Sequence, residues 1–360
     1  MFIRNAWYVA CTADALPADQ PLGRTICNHA MVLFRGPQGQ AVALEDFCPH
    51  RGTPLSLGRV QQGALVCGYH GLTMGCQGHT LHMPGQRPQT FPAIRAFPVL
   101  ERYGFVWVWP GQPEQASPDQ LPPLPFLEAK DWAYGGGLFH VKADYRLMVD
   151  NLMDLTHETY VHATSIGQPE IDETPCRTEV VGEQVVTSRH MTGIQAPAFW
   201  QQAMAAHGLD PHAKVDRWQI CRFTAPSHVH IDVGVALHGM GGIDAPAHQK
   251  VQAVVVDFIT PETATSHWYH WGMARRFQVQ DAALTETIRQ GQSKIFSEDL
   301  AILERQQQSL STNAGRRLVT LNIDAGGARA RQRIAQRVQA EAEHASTEPP
   351  PPVQPEFSHA

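Results

Sequence analysis

Two short runs carry residues able to hold a metal: Cys48-Pro49-His50-Arg51-Gly52 and Cys67-Gly68-Tyr69-His70-Gly71. Each run offers one thiolate and one imidazole, and residues 51–66 separate His50 from Cys67. Structural zinc accepts two cysteines and two histidines, but its usual spacing puts both cysteines first and both histidines later. One of each on two facing turns suits a Rieske-type [2Fe–2S] cluster instead. There, two thiolates hold one iron and two neutral imidazoles the other. Cys48, His50, Cys67 and His70 are the candidate cluster ligands, with zinc as the competing occupant. The chemistry of such a centre is one-electron transfer.

A second constellation lies further along, in Asp150-Asn151-Leu152-Met153-Asp154-Leu155-Thr156-His157-Glu158-Thr159-Tyr160-Val161-His162. Glycine and proline do not break the stretch from Asp144 to His162, so a single helix is expected. On it Asn151, Asp154 and His157 would share a polar stripe. His157 and His162 are five apart, about 140° around an ideal helix, so they can share a metal only if the helix ends or bulges between them. Two histidines and a carboxylate on one face of a metal leave positions open for oxygen, the facial triad of non-haem Fe(II) oxygenases. The carboxylate has local candidates in Asp154 and Glu158, and distant ones in Glu298 and Asp299 on a late helix. A one-electron carrier also needs a consumer, which a second iron would supply.

The motifs C-P-H-R-G, C-x-Y-H-G and N-x-x-D-x-x-H-x4-H together resemble the Rieske non-haem iron oxygenases, from Asn5-Ala6-Trp7-Tyr8 to about Asn322–Gly327. Residues 5–10, 150–162 and Val256-Asp257-Phe258-Ile259-Thr260-Pro261-Glu262 look like the branch formed by vanillate O-demethylase oxygenase components. The resemblance implies Cys48, His50, Cys67 and His70 as cluster ligands, and His157, His162 and Asp299 as ligands of a mononuclear iron. It implies Asp154 as an aspartate that links a cluster histidine of one subunit to an iron histidine of its neighbour, and hence a homotrimer. It further implies a separate NAD(P)H-dependent flavin/iron–sulfur reductase. The implied reaction hydroxylates an aryl methyl ether with O2, and the resulting hemiacetal collapses to a phenol and formaldehyde; from vanillate the phenol is protocatechuate. Alternatives are the same chemistry on another methoxybenzoate, such as syringate or a dicamba-like acid, or a Rieske electron carrier without turnover. An aromatic acid needs a donor for its carboxylate; Arg222, which shares strand parity with Trp218 and Ile220, and Asp257, on an otherwise apolar strand, could both face the substrate pocket.

These centres need elements to hold them. The expected fold is α+β. An N-terminal all-β Rieske domain (residues 1–115) and a proline-rich linker (116–130) precede a helix-grip catalytic domain, an antiparallel sheet around a long helix (131–343). A disordered tail (344–360) follows. Strands are expected at 218–223, 229–237, 251–259 and 266–273, with Thr260-Pro261-Glu262-Thr263 turning the last two. Helices are expected at 281–308 and 328–343. Phe105-Val106-Trp107-Val108-Trp109 reads as a strand buried mainly on one face. Pro84-Gly85 marks a turn able to cover the cluster.

Composition narrows the rest. The 360 residues are 43% hydrophobic and 17% charged, which fits two globular domains. No run of 18 or more apolar residues offers a membrane span, and the start does not read as a leader. Seven cysteines, an odd number with two assigned to the cluster, point to a reducing cytoplasmic setting. A formal charge of −6 and the lack of basic runs argue against nucleic acid. No GxGxxG stands on a strand–turn–helix, so nicotinamide and flavin belong to another chain.

Overall fold

The computed structural model describes residues 2–87, 91–163 and 166–347. The N-terminal part is all β. It contains β1 (Tyr8–Thr12), β2 (Leu22–Ile26), β3 (His29–Arg35), β4 (Ala41–Glu45), β5 (Arg59–Gln61), β6 (Ala64–Val66), β7 (Thr73–Met74), β8 (Thr80–His82), β9 (Ala96–Phe97), β10 (Val99–Arg102) and β11 (Phe105–Val108). They form three antiparallel sheets, ordered β1-β11-β10, β2-β3-β4-β9 and β5-β6-β7-β8. Most of these strands are short, so few residues separate one turn from the next. Cys48 follows β4 and Cys67 follows β6, which places both metal-binding runs at strand ends.

The second part is one seven-stranded antiparallel sheet with helices. Its strands are β12 (Ala133–Val141), β13 (Arg177–Val181), β14 (Gln184–Gln195), β15 (Lys214–Thr224), β16 (His228–Leu237), β17 (Lys250–Thr263) and β18 (Ser266–Arg275), in the order β12-β18-β17-β16-β15-β14-β13. Its helices are α1 (Tyr145–Leu152), α2 (Glu158–Val161), α3 (Glu170–Glu173), α4 (Ala198–Ala206), α5 (Ala282–Thr312) and α6 (Ala325–Thr347). The α+β class is as expected, with three corrections. β17 runs straight through Thr260-Pro261-Glu262 and turns only at Ala264–Thr265, because a bulge after Pro261 accommodates the residue that lacks a donor. The helix expected over 144–162 stops at Leu152. Residues 344–347, expected as tail, extend α6, and the remainder of that tail, 348–360, lies outside the described residues.

α5 shows how a long helix can both pack and present a carboxylate. Asp281 caps it by accepting from the Leu284 amide at 2.9 Å. Its buried residues are Ile288, Phe296, Asp299 and Leu303, which recur at helical spacing along one stripe. Asp299 thus sits on the face that packs inward, between two apolar anchors.

The two parts share one core. β11 is buried on both faces rather than one. Val106 and Val108 join the main core, while Phe105, Trp107 and Trp109 pack with Val254, Val256 and Phe258 of β17. The proline-rich stretch is packed against the same wall. Leu121 and Leu124 are buried there, the Leu124 amide donates to the Tyr103 hydroxyl at 3.2 Å, and Trp7 Nε1 donates to the Ser117 carbonyl at 2.8 Å. The far end of α6 ties down the start of the chain, its Glu341 carboxylate accepting from the amides of Arg4 and Asn5 at 2.8 Å each.

Candidate metal centres

The two Cys–His runs fold into the same loop. The Cys48 amide donates to the Thr53 carbonyl at 3.0 Å, and the Gly52 amide to the Cys48 carbonyl at 2.8 Å. The Cys67 amide donates to Leu72 at 2.8 Å, and the Gly71 amide to Cys67 at 3.1 Å. Both glycines take the left-handed conformation, with φ of 69° and 75°, where a Cβ is strained. The twin turns bury both thiols, at 2% exposure each, and bring the His50 and His70 rings to 4.5 Å between centroids. Burial first, then the neighbouring Cys67 thiol, raises the Cys48 pKa. His70 reaches solvent, and slight burial followed by the nearby His50 and Arg51 lowers its pKa. Pro84 lies against the second loop, within 3.5 Å of where a Cβ on Gly71 would stand. Two paired thiols beside two close imidazoles fit a [2Fe–2S] cluster with mixed ligation.

The second site depends on the helix break. The Asp154 carboxylate accepts from the Thr156 amide at 2.7 Å and its hydroxyl at 2.6 Å, a local turn that competes with helix. The chain then restarts as the single turn α2, with His157 before it and His162 after it. This brings the two rings to 5.3 Å, and one ligand atom from each of His157, His162 and Asp299 lies within 4.8 Å of the others. Asp299 Oδ1 stands 3.5 Å from His157 Nε2 and 3.2 Å from His162 Nε2, and also accepts from Asn151 Nδ2 at 3.0 Å.

Each histidine turns its other nitrogen toward a second carboxylate. His162 Nδ1 and Glu298 Oε2 are 2.8 Å apart. His157 Nδ1 is 3.5 Å from Asp154 Oδ2, and that buried nitrogen has no hydrogen-bond partner among the described residues. Carboxylate–histidine–metal chains have this form, since the outer carboxylate fixes ring orientation and tautomer. Burial pulls the His162 pKa down, but Asp299 and Glu298 outweigh it and hold it above the usual histidine value. Burial likewise raises Asp154, and the adjacent His157 ring together with hydrogen bonds from Thr156 outweighs it and holds the carboxylate below its ordinary value. Two imidazoles and one carboxylate, each with a ligand atom within 4.8 Å of the others, fit a mononuclear iron with open positions. Glu298 was weighed from the sequence only as a possible ligand, and its adjacency to Asp299 on a helix signals that the two point in different directions.

Beside this site lies a cavity of about 420 Å³, walled by Phe199, Trp200, Ile231, Val233 and Phe296 with Leu155 at hand. An apolar cavity of roughly 150 Å³ already admits benzene, so a substituted ring fits. Its buried polar residues are Glu158, Arg217 and Gln219. Arg222 is not among its lining residues. It pairs with Asp232 at 3.1 Å, and its strand parity with Trp218 and Ile220 places it on the sheet face that those two share with Val186 and Ala236. The opposite parity gives Arg217 and Gln219, which line the cavity. Asp257 is fully buried and accepts from the Tyr269 hydroxyl at 2.6 Å, and it too is absent from the lining. Burial, with the charge of Asp299 adding, pushes Asp257 up to about 8.

An electron-carrying cluster domain fused to a helix-grip domain with a His–His–Asp site defines a Rieske non-haem iron oxygenase. Sequence and structure comparisons place it more narrowly. Residues 6–99 match the Rieske [2Fe-2S] domain, and residues 141–340 match the vanillate O-demethylase oxygenase C-terminal domain. The chain belongs to that family of Rieske oxygenases. It is 60% identical over 345 residues to a vanillate O-demethylase oxygenase subunit of Pseudomonas sp. strain HR199, covering 96% of this chain and 97% of the relative. It is 34% identical to the oxygenase component of dicamba O-demethylase from Stenotrophomonas maltophilia, covering 95% and 99%. The crystal structure of dicamba monooxygenase bound to dicamba superposes with a TM-score of 0.84 at 32% identity, covering 95% of this chain and 99% of that one. The chain therefore carries a Rieske [2Fe–2S] cluster and a mononuclear iron, and as an oxygenase component it works with a separate reductase. Among the described residues no helix is long and apolar enough to cross a membrane.

Proposed function

We propose that this chain O-demethylates vanillate, or a closely related 4-hydroxy-3-methoxybenzoate, to a catechol acid and formaldehyde with O2 and reductase-supplied electrons. The observation that carries the reading is the junction of the ring-sized cavity with the His157–His162–Asp299 cluster. Glu158 adjoins His157, and Phe296 lies one turn before Asp299, so the same two elements line the cavity and supply the ligands. The bound iron would supply O2 activation, and the cluster single electrons. The chain's own residues do the rest. Apolar walls hold the ring and exclude water from the reacting end. Glu298 and Asp154 orient the two imidazoles, and Asn151 steadies Asp299.

The assembly we propose is a head-to-tail homotrimer in which Asp154 also meets His70 of a neighbour. Two unlike apolar surfaces support this. Phe47, Leu57, Tyr69 and Leu81 are exposed in the cluster-bearing part, while Tyr160 and Ile323 flank the open groove that Asp154 and His157 line. Unlike patches meet in a heterologous contact, which closes as a ring. A reducing, cytoplasmic setting fits seven cysteines that form no disulfide. The test is anaerobic reconstitution with Fe(II) and a reductase, followed by formaldehyde and product analysis with vanillate, syringate and a dicamba-like acid. Vanillate should give protocatechuate and formaldehyde in equal amounts. Failure of every methoxybenzoate to give formaldehyde would reject the reading.

A further inference from the structure

The cavity beside the iron ligands holds buried acceptors that no donor among the described residues hydrogen-bonds. Glu158 is 5% exposed. Its Oε1 accepts from Gln219 Nε2 at 2.7 Å, whereas its Oε2 is buried without a hydrogen-bond partner among the described residues, 3.9 Å from Arg217 Nη2. The Oε1 atoms of Gln219 and Gln292 are buried and unpartnered as well. Arg217 is itself buried at 5% exposure and donates to Gln168 Oε1. Buried polar atoms are rarely left this way, and each one is costly. A ligand that completes this cavity must bring a donor.

We propose that Glu158 determines substrate specificity by accepting the phenolic O–H of the aromatic acid at Oε2. The inference rests on the O-demethylase reading above. At neutral pH the carboxylate and the methyl ether of such an acid accept only, so the phenol is its one donor. Position agrees with chemistry. Glu158 lines the cavity one residue after His157, and Phe296 of the same lining precedes Asp299 by one turn, so the cavity borders the elements that carry the ligands. In a 4-hydroxy-3-methoxybenzoate the hydroxyl is ortho to the ether, so one placement of the ring sends the phenol to Glu158 and the methyl toward the His157–Asp299 cluster. The carboxylate, para to the hydroxyl, then points away from the anionic wall. Arg217 and Gln219 hold Glu158 in place and balance its charge. A site built around a substrate hydroxyl rejects the analogue that lacks it, because the acceptor is then stranded.

The test compares vanillate with 3-methoxybenzoate, which lacks the hydroxyl, and 3,4-dimethoxybenzoate, in which it is capped. Anaerobic titration calorimetry of the wild-type holoenzyme should show both analogues binding roughly 10²–10⁴-fold more weakly than vanillate, with kcat/KM falling in parallel. In Glu158→Gln, checked for intact cluster absorbance and iron content, the vanillate preference should shrink by at least about tenfold. Equal wild-type affinity for all three ligands would overturn the proposal, as would a variant that weakens all three alike. The wild-type series decides alone if the variant does not fold. Formaldehyde from every methoxybenzoate, with no preference for the hydroxyl, rejects this inference while leaving the O-demethylase reading intact. Absence of formaldehyde from all of them rejects that reading.

Discussion

Acidification should strip stability from this protein through three histidines that have no catalytic part. His228 and His267 are fully buried, and burial drives each down to about 4, against the pull of carbonyl oxygens of Trp7 at 3.0 Å and Ala143 at 2.7 Å. His270 is driven to about 3, and neither of its ring nitrogens finds a partner among the described residues. Each folded value lies below the unfolded one of about 6.5, so the unfolded chain binds more protons in the acid range. The stability is therefore complete above about pH 6.5 and drains away as the pH falls toward about 4. At about pH 5.5 the loss is roughly 1.4 kcal/mol per histidine and roughly 4 kcal/mol for the three, a large part of a domain's 5–15 kcal/mol. His270→Phe isolates one of them, because a ring of similar shape replaces two stranded nitrogens beside Phe105. Urea midpoints of the two holoproteins should be compared by tryptophan fluorescence at about pH 7.5 and about pH 5.5. The variant should gain about 1.4 kcal/mol on the wild type between those two conditions. Parallel loss in both proteins would show that His270 is already protonated, or titrates freely, in the folded chain.

Three further outcomes follow from the metal sites. Asp299→Ala should lose the mononuclear iron and keep the Rieske spectrum, while Glu298→Gln should weaken iron about 10–100-fold and recover with excess Fe(II); metal analysis of dialysed protein distinguishes the two. Asp154→Asn should leave both centres loaded and the cluster reducible, with turnover nearly gone, and normal turnover in that variant would refute the bridging role. Gly52→Val should cost at least about 1–2 kcal/mol at its positive φ and lower cluster occupancy, read as the ratio of visible to protein absorbance.

The residues that the structure gathers at its two centres stand out in the sequence because coordination chemistry admits few residue types. Cys48, His50, Cys67 and His70 combine rare side chains with short fixed spacings, and His157 and His162 sit in an otherwise helical pattern at a distance that a helix forbids them to share. That conflict made a shared metal conditional on a break where a single helix was expected, and the Asp154–Thr156 turn is that break. Other features were illegible for definite reasons. Arg222 was read with the right strand parity but the wrong face, since parity alone does not say which side α5 covers. β12 went unforeseen because Gly135-Gly136-Gly137 argues against a strand, although Gly137 is needed there: a Cβ would stand 2.4 Å from the Trp271 ring. The expected turn at Pro261 failed because a bulge can absorb a proline inside a long strand.

β11 bears on how electrons can travel. With valines anchored in the shared core and three aromatic rings pressed on β17, the β1-β11-β10 sheet is fastened to the catalytic part, while Cys48 and Cys67 sit in a separate apolar cluster with Val32, Phe34, Leu55 and Leu65. Cutting the chain within 116–130 would bare that aromatic wall on one fragment and Val254, Val256 and Phe258 on the other, so neither half should survive alone in water. Parting β11 from β17 within one subunit would cost the burial of that seam. That cost favours timing of electron delivery by what docks against the subunit or enters its cavity over a hinge at this seam.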